Sequence, residues 1–406
     1  MSARALEFRN VDILFPRERG PRGARALKAA IARLDAGASR EELAAELGVT
    51  LGVAGANLAI EPGEICVMMG LSGSGKSTLM RAANGLNPVT RGQVLVSDAG
   101  GTIDVGRCTA EDLRRLRRGR IAMVFQQFGL LPWRTVAENV GFGLEIRGEP
   151  PVARKEAIAR QLELVGLSSW ADRHVAELSG GMQQRVGLAR AFATNADILL
   201  MDEPFSALDP LIRDKLQDEL LAVQARVKKT ILFVSHDLDE ALRLGDRISI
   251  MRHGRIVQTG TARDIVLRPA DEYVAEFVRR MNPLKVLTGE MVMRARDRME
   301  WADGAFFLDA ARRYRLRLDS AEAPSELRLD GEAHPLRSVA EEEGCAPDER
   351  SVIVAPATIT LQALITLRRR TGHPVVLAQS GRMLGVCGEA EIIAALAGRN
   401  GGAASP

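Results

Sequence analysis

The sequence predicts an α/β fold followed by a smaller α+β domain, and three observations carry that expectation. An apolar run, Ile65-Cys66-Val67-Met68-Met69, opens into Gly70-Leu71-Ser72-Gly73-Ser74-Gly75-Lys76-Ser77-Thr78 and then Leu79 to Ala82, the order strand, glycine loop, helix. Two further apolar runs, Ile198–Met201 and Thr230–Val234, end in Asp202-Glu203 and Ser235-His236-Asp237, polar residues at the edge of a parallel sheet where ligands bind. From Ser351 onward the chain reads strand, helix, strand, strand, helix on a smaller scale.

A length of 406 residues suggests two or three domains. Lys plus Arg number 55 against 52 for Asp plus Glu, a near balance that argues against a bulk nucleic-acid binder. Cys66, Cys108, Cys345 and Cys387 are scattered with no C-x-x-C pair, so neither a disulfide framework nor a zinc site is indicated, and a reduced cytoplasmic compartment fits. Met1 to Asn10 holds no apolar core of signal-peptide length, and no stretch is long enough to span a bilayer. Membrane association is therefore expected to run through a partner.

In chain order, Leu6 to Phe15 alternates like a strand, and a basic glycine-rich turn follows at Arg17 to Gly23. Ala26–Leu34 and Arg40–Leu47 read as short amphipathic helices, with Ser39 as N-cap and Gly48 as stop. A tandem helix pair raises the thought of a DNA reader, but no basic recognition face follows it. Strand character resumes at Leu51–Ile60, and Gln93–Val105 reads as a hairpin turning at Asp98, Gly100 and Gly101. Arg114, Arg115, Arg117, Arg118 and Arg120 then form a dense cluster, read as a solvated helix face. Ile121–Phe125 is a short buried strand ending in Gln126, Pro151–Val165 is helical, and Leu178-Ser179-Gly180-Gly181-Met182-Gln183-Gln184-Arg185 marks a lysine-free helix start that can still cap an anion.

The chemistry follows from residue types. Glycines let consecutive N–H groups turn inward on phosphate oxygens, Lys76 can reach the β- and γ-phosphates, and the Ser77 hydroxyl can take a place on Mg²⁺. Two adjacent carboxylates at the end of a buried strand are costly without a cation or water, so Asp202 supports Mg²⁺ while Glu203 activates water. His236, at the same sheet edge, is placed to contact a γ-phosphate.

The glycine loop, Gln126, Leu178-Ser179-Gly180-Gly181, Asp202-Glu203, Asp209 and His236, in that order, resemble an ABC-transporter ATPase subunit over residues 1–283. The resemblance implies a phosphate-loop NTPase domain with a RecA-like core, an antiparallel β subdomain and a helical subdomain. It implies ATP and Mg²⁺ as cofactors, with Gly70, Ser72, Gly73, Ser74, Gly75, Lys76, Ser77 and Thr78 at the nucleotide and Phe15 stacked on adenine. Ser179, Gly180, Gly181 and Gln183 would face the phosphate loop of a second subunit in a homodimer, and Asp209 would lie in the loop joining the two sites. Ser77, Gln126 and Asp202 would serve the metal, Glu203 would be the general base, and His236 would hold the γ-phosphate. Phe128 to Gly143, directly after Gln126, would receive the membrane permease, which in turn meets an extracytoplasmic substrate-binding protein. The subunit would sit peripherally on the cytoplasmic face of the inner membrane.

The helical insertion at residues 24–50 resembles the quaternary-amine uptake branch, which imports glycine betaine, choline, carnitine or proline betaine. Glu64 to Gly70, the linker Asn282-Pro283-Leu284 and Thr371-Gly372-His373 resemble choline importers within it. Residues 284–350 alternate charged and apolar residues without a strong motif, as a degenerate linker or partial module. Residues 351–406 resemble one CBS module, read as a structural or dimer-supporting tail, and the neutral end Asn400–Pro406 does not support ionic-strength sensing by an acidic run. A soluble ABC ATPase acting on DNA or ribosomes would carry a long coiled coil between Gln126 and Ser179, or two cassettes, and neither is present. A non-hydrolysing nucleotide sensor is disfavoured by Glu203 and His236.

Overall fold

Strands that are apolar on both faces can only be satisfied in the middle of a layered sheet, and residues 65–260 of this chain build one. The structure, a computed structural model, describes residues 4–98, 100–126, 129–279, 284, 287–339 and 350–397. Contacts divide the chain into Met1–Ile265 and Val266–Pro406. The boundary at 283 read from composition, with Asn282, Phe128, Cys345 and the end 400–406, lies outside the described residues.

In the first unit, β3 (Ile65–Met69), β6 (Ile121–Val124), β7 (Ile198–Asp202), β8 (Thr230–Val234), β9 (Arg247–Arg252) and β10 (Arg255–Gly260) form a sheet in the order β10-β9-β3-β8-β7-β6. All neighbours are parallel except β10 on β9. Every residue of β3, β7 and β8 is buried. An antiparallel sheet joins β2 (Val49–Ile60), β1 (Leu6–Pro16), β4 (Arg91–Asp98) and β5 (Gly101–Asp104) in that order. The two sheets share one apolar core that includes Phe8, Ile13, Ile60, Met68, Leu79 and Val234.

The insertion forms α1 (Pro21–Asp35) and α2 (Arg40–Leu47). The expected turn at Arg17–Gly23 is shorter than the sequence suggested: Pro21 occupies the first helical turn, where its fixed φ and missing N–H cost nothing. Ser39 caps α2 in a reciprocal box with Glu42, and Gly48 ends it at φ 60°.

Helix α3 (Lys76–Ala82) follows the phosphate loop, and the arginine cluster lies on α4 (Ala110–Arg115) and a π-turn at Leu116–Arg120. Its reading as a merely solvated face fails for two members. Arg117 Nε donates to Asn84 O at 2.8 Å and Arg120 Nε to Ser97 O at 2.7 Å, so both tie the turn to other elements. The helical part comprises α5 (Val136–Arg147), α6 (Pro151–Leu164) and α7 (Gly180–Ala193), and α8 (Pro210–Val227) and α9 (Leu238–Leu244) flank β8.

The second unit holds two five-stranded sheets. Residues 301–334, where alternation carried no motif, form an antiparallel meander; Tyr314 and Leu316 alternate inward against exposed Arg315 and Arg317. The other sheet pairs Leu336–Ser338 with Val352–Pro356 and Val375–Gln379 in parallel, then Arg382–Cys387 antiparallel, with helices Leu361–Thr371 and Glu389–Ala397, consistent with a CBS-like domain.

Candidate nucleotide site

The phosphate loop is built by backbone that side chains could not follow. Gly70 has φ 144° and a Cβ there would lie 2.2 Å from Met251 O; Gly75, at φ 105°, would meet Gly52 O at 2.5 Å. Ser72 and Gly73 are exposed on the crest, whereas the Ser74 hydroxyl is buried without a hydrogen-bond partner. Lys76 is buried, and its ammonium donates to Gly70 O at 2.8 Å and Leu71 O at 3.1 Å, folding the side chain back over the loop. Burial pushes the Lys76 amine below its ordinary value, with Glu203 and Asp202 opposing that shift.

Parallel registry brings the ends of β3 and β7 to this loop. Ser77 Oγ donates to Asp202 Oδ1 at 2.6 Å, and Arg81 Nη2 donates to Asp202 Oδ2 at 2.9 Å. Asp202 is fully buried, so Arg81 supplies the charge balance that sequence reading missed. Its spacing, one helical turn past Ser77, was the available signal. A hydroxyl and a carboxylate oxygen are the hard donors that Mg²⁺ takes, and two protein ligands leave positions for phosphate oxygens and water. The orphaned Ser74 hydroxyl likewise fits an anion in the loop. Among the described residues no cluster of three or more His, Cys, Asp or Glu is arranged for a metal.

One residue further on, Glu203 receives a hydrogen bond from Gln126 Nε2 at 3.0 Å, and His236 Nδ1 lies 3.5 Å from the same carboxylate oxygen. Gln126, Glu203 and His236 therefore converge although 110 residues of sequence separate the first from the last (236 − 126). Glu203 adopts a left-handed φ of 50°. Its carbonyl accepts from Gln184 Nε2 at 3.1 Å and Ser206 Oγ at 3.0 Å, while Gln184 Oε1 accepts from Ala207 N at 3.1 Å. Gln184 is 1% exposed, and its two bonds fasten the Glu203–Ala207 loop to α7. Sequence reading named Gln184 only as part of a motif; a polar side chain on the buried face of α7 was the signal.

Ser179 caps α7, accepting from Met182 N at 3.4 Å, and stands exposed with Gly180. A Cβ on Gly181 would lie 3.4 Å from Ala207 O, which places this helix start against the loop running to Asp209. Asp209 caps α8 through Ile212 N at 3.1 Å. Gln183 turns back instead, donating to Val175 O and Leu178 O, both at 3.1 Å, and braces the approach to α7. Phe15 is half-buried on β1; a Cβ on Gly52 would lie 2.9 Å from its ring and 3.0 Å from Thr78 Cγ2, so Gly52 lets ring and helix start converge.

In the expected docking segment, Trp133 is 71% exposed on a braced loop. Asn139 accepts from Leu131 N at 2.8 Å and donates to Thr135 O at 2.9 Å, and Arg190 Nη1 donates to Gly129 O at 2.6 Å. No described helix is long and apolar enough to cross a membrane.

Comparison with known proteins agrees with this geometry. Residues 53–206 match the family described as ABC transporter. The glycine betaine/proline betaine transport system ATP-binding protein of Escherichia coli (strain K12) is 48% identical over 289 residues, covering 71% of this chain and 69% of that protein. The glycine betaine transport ATP-binding protein of Bacillus subtilis (strain 168) is 48% identical over 267 residues, 66% of this chain and 63% of that protein. The choline transport ATP-binding protein of the same organism is 44% identical over 223 residues, 55% and 56% of the two chains. The chain thus spans about two thirds of the length of the betaine-named relatives. A dimeric ATP-binding cassette solved in a post-hydrolysis state with ADP and Pi superposes with a TM-score of 0.53 at 28% identity, covering 63% of this chain and 98% of that one. With a phosphate loop, a carboxylate pair and this degree of identity in hand, the chain belongs to the ABC transporter ATPases of the glycine betaine, choline and trimethylamine N-oxide uptake family.

Proposed function

We propose that this chain is the ATP-hydrolysing motor of a quaternary-amine importer, acting as a homodimer on the cytoplasmic face of the membrane. The observation that carries the reading is the convergence of Gln126 and His236 on Glu203, one residue beyond the carboxylate that holds Ser77. The N–H groups of Gly70–Ser77 and the Lys76 ammonium grip the triphosphate, releasing the lysine from its own loop carbonyls. Ser77 and Asp202 would hold Mg²⁺, which would supply positive charge to the phosphate oxygens. Glu203 takes a proton from water oriented by Gln126 as the water oxygen bonds to the γ-phosphorus and the bond to the β-phosphate oxygen breaks, releasing ADP, and His236 donates a hydrogen bond to the γ-phosphate. Ser179 and Gly180, exposed at a helix N-terminus, close on the partner's triphosphate, and Asp209 links the two sites. The braced Trp133 loop docks the permease, through which a substrate-binding protein delivers cargo.

Glycine betaine is the cargo this reading favours, because betaine-named relatives align at 48% identity over 267–289 residues. Choline, expected from Glu64–Gly70, is the second reading, supported by the choline-named relative at 44% over 223 residues. Uptake of labelled betaine and labelled choline in cells lacking this chain but keeping its permease and binding protein tests both. Betaine uptake restored by the native chain and not by Glu203→Gln is the expected result. Choline uptake alone moves the cargo to the second reading; rescue of neither removes the importer assignment.

A further inference from the structure

The helical insertion serves the nucleotide site directly. Arg40, the first residue of α2, donates from Nη1 to the carbonyl of Gly73 at 3.0 Å, on the exposed crest of the phosphate loop. That is its one hydrogen bond among the described residues, so the rest of its guanidinium donors are available beside a site built for a polyanion. We propose that Arg40 is a nucleotide-binding residue, supplying a cation from the insertion to the phosphates or ribose of ATP held in the loop.

The placement is fixed rather than incidental. Leu34 and Leu43 from the two helices pack with Leu14, Val49 and Leu51 in a core of their own. Arg33 Nη2 pairs with Glu46 at 2.8 Å across the helices. Arg91 bridges Asp35, at the end of α1, to Asp12 on β1. Arg17 N donates to Gly48 O at 2.9 Å and closes the base of the insertion. The box between Ser39 and Glu42 sets the first turn of α2, and therefore the direction in which Arg40 leaves the helix. Phe15 and Thr78 meet on one side of Gly52, and the insertion departs from the strand that carries Phe15. A nucleotide with its base on Phe15 and its phosphates between Gly70 and Ser77 therefore runs past a loop whose crest Arg40 touches. A guanidinium can keep the Gly73 carbonyl on one N–H and spend others on a phosphate or hydroxyl oxygen, which a lysine's point charge does less well.

The inference rests on Gly70–Thr78 being the ATP cradle, and the experiment separates the two. ATP KM, kcat and the salt dependence of KM are measured for the full chain and for Arg40→Ala, Arg40→Lys and Lys76→Ala. Arg40→Ala is expected to raise KM about tenfold, the loss of one charge-assisted hydrogen bond, with kcat near native and a shallower salt dependence. Arg40→Lys should fall between the two. An unchanged KM in Arg40→Ala overturns the proposal. So does an equal rise in both Arg40 variants with native salt dependence, since Arg40 would then act only by holding Gly73. Native nucleotide binding in Lys76→Ala would instead remove the cradle itself. Thermal unfolding of Arg40→Ala should match the native chain, because the insertion core is untouched.

Discussion

Glu203 sits at a φ of 50°, a conformation that costs a non-glycine residue on the order of 1 kcal/mol or more. Gln184 and Ser206 hold it there through its carbonyl, and the strain aims the carboxylate at Gln126 and His236. Gln184→Leu keeps the volume and removes both bonds. It should lower kcat for ATP on the order of tenfold or more through misplacement of the proposed base, Glu203, with KM little changed. A steady-state ATPase assay reads this split; a rise in KM alone would count against Gln184 as a positioning residue. A second buried carboxyl, Glu240, lies behind the His236 loop, accepting from Ser235 Oγ at 2.5 Å and Gln217 Nε2 at 2.9 Å. Burial pushes its pKa up, against the lowering by those two hydrogen bonds. The folded state therefore holds this proton more tightly than the unfolded chain does. Its contribution is full at acid pH and is lost as pH rises from about 4, the ordinary carboxylate value, through the raised one. Glu240→Gln keeps a neutral group in place, so its Tm should fall less than the native Tm between acid and neutral pH. Equal slopes in thermal unfolding would remove Glu240 as a pH-dependent element.

At the scale of elements, the loop before α5 shows how a short segment without regular structure becomes a rigid platform. Asn139 satisfies Leu131 N and the carbonyls of Leu131, Arg134 and Thr135, while Thr135 and Glu138 cap α5 reciprocally. In the proposed docking role, an exposed indole on so braced a loop would lower the ordering cost of association. Trp133→Ala should leave ATP hydrolysis by the isolated subunit native and reduce cargo uptake severalfold, as expected for loss of an aromatic interface anchor. Parallel ATPase and uptake measurements test this; an equal loss in both would place Trp133 in the fold instead.

On the scale of the whole molecule, two units with separate cores should unfold separately. Scanning calorimetry should show two transitions. Leu316 is fully buried in the second unit's core, and Leu316→Ala should destabilise that unit by about 2–5 kcal/mol, lowering one transition and leaving the other, with ATPase activity, in place. A single cooperative transition that shifts as one would overturn independent unfolding.

What the sequence determined by itself was local and periodic. The strand–loop–helix around Lys76, the caps Ser39 and Gly48, and the apolar strands β3, β7 and β8 each follow from residues within a few positions of one another. The order of the motifs then made the family legible. Helical spacing puts Arg81 one turn past Ser77 and Gln184 on the inner face of α7, but their partners Asp202 and Glu203, like Gly73 for Arg40, lie 121, 19 and 33 positions away, and no local pattern names a partner. The meander at 301–334 was hidden for a related reason. Strands whose outer faces carry arginine and glutamate are specified by cross-strand neighbours more than by their own composition. Tertiary structure decided these features, because a buried charge or a strained turn is stable only where a distant chain segment arrives to satisfy it.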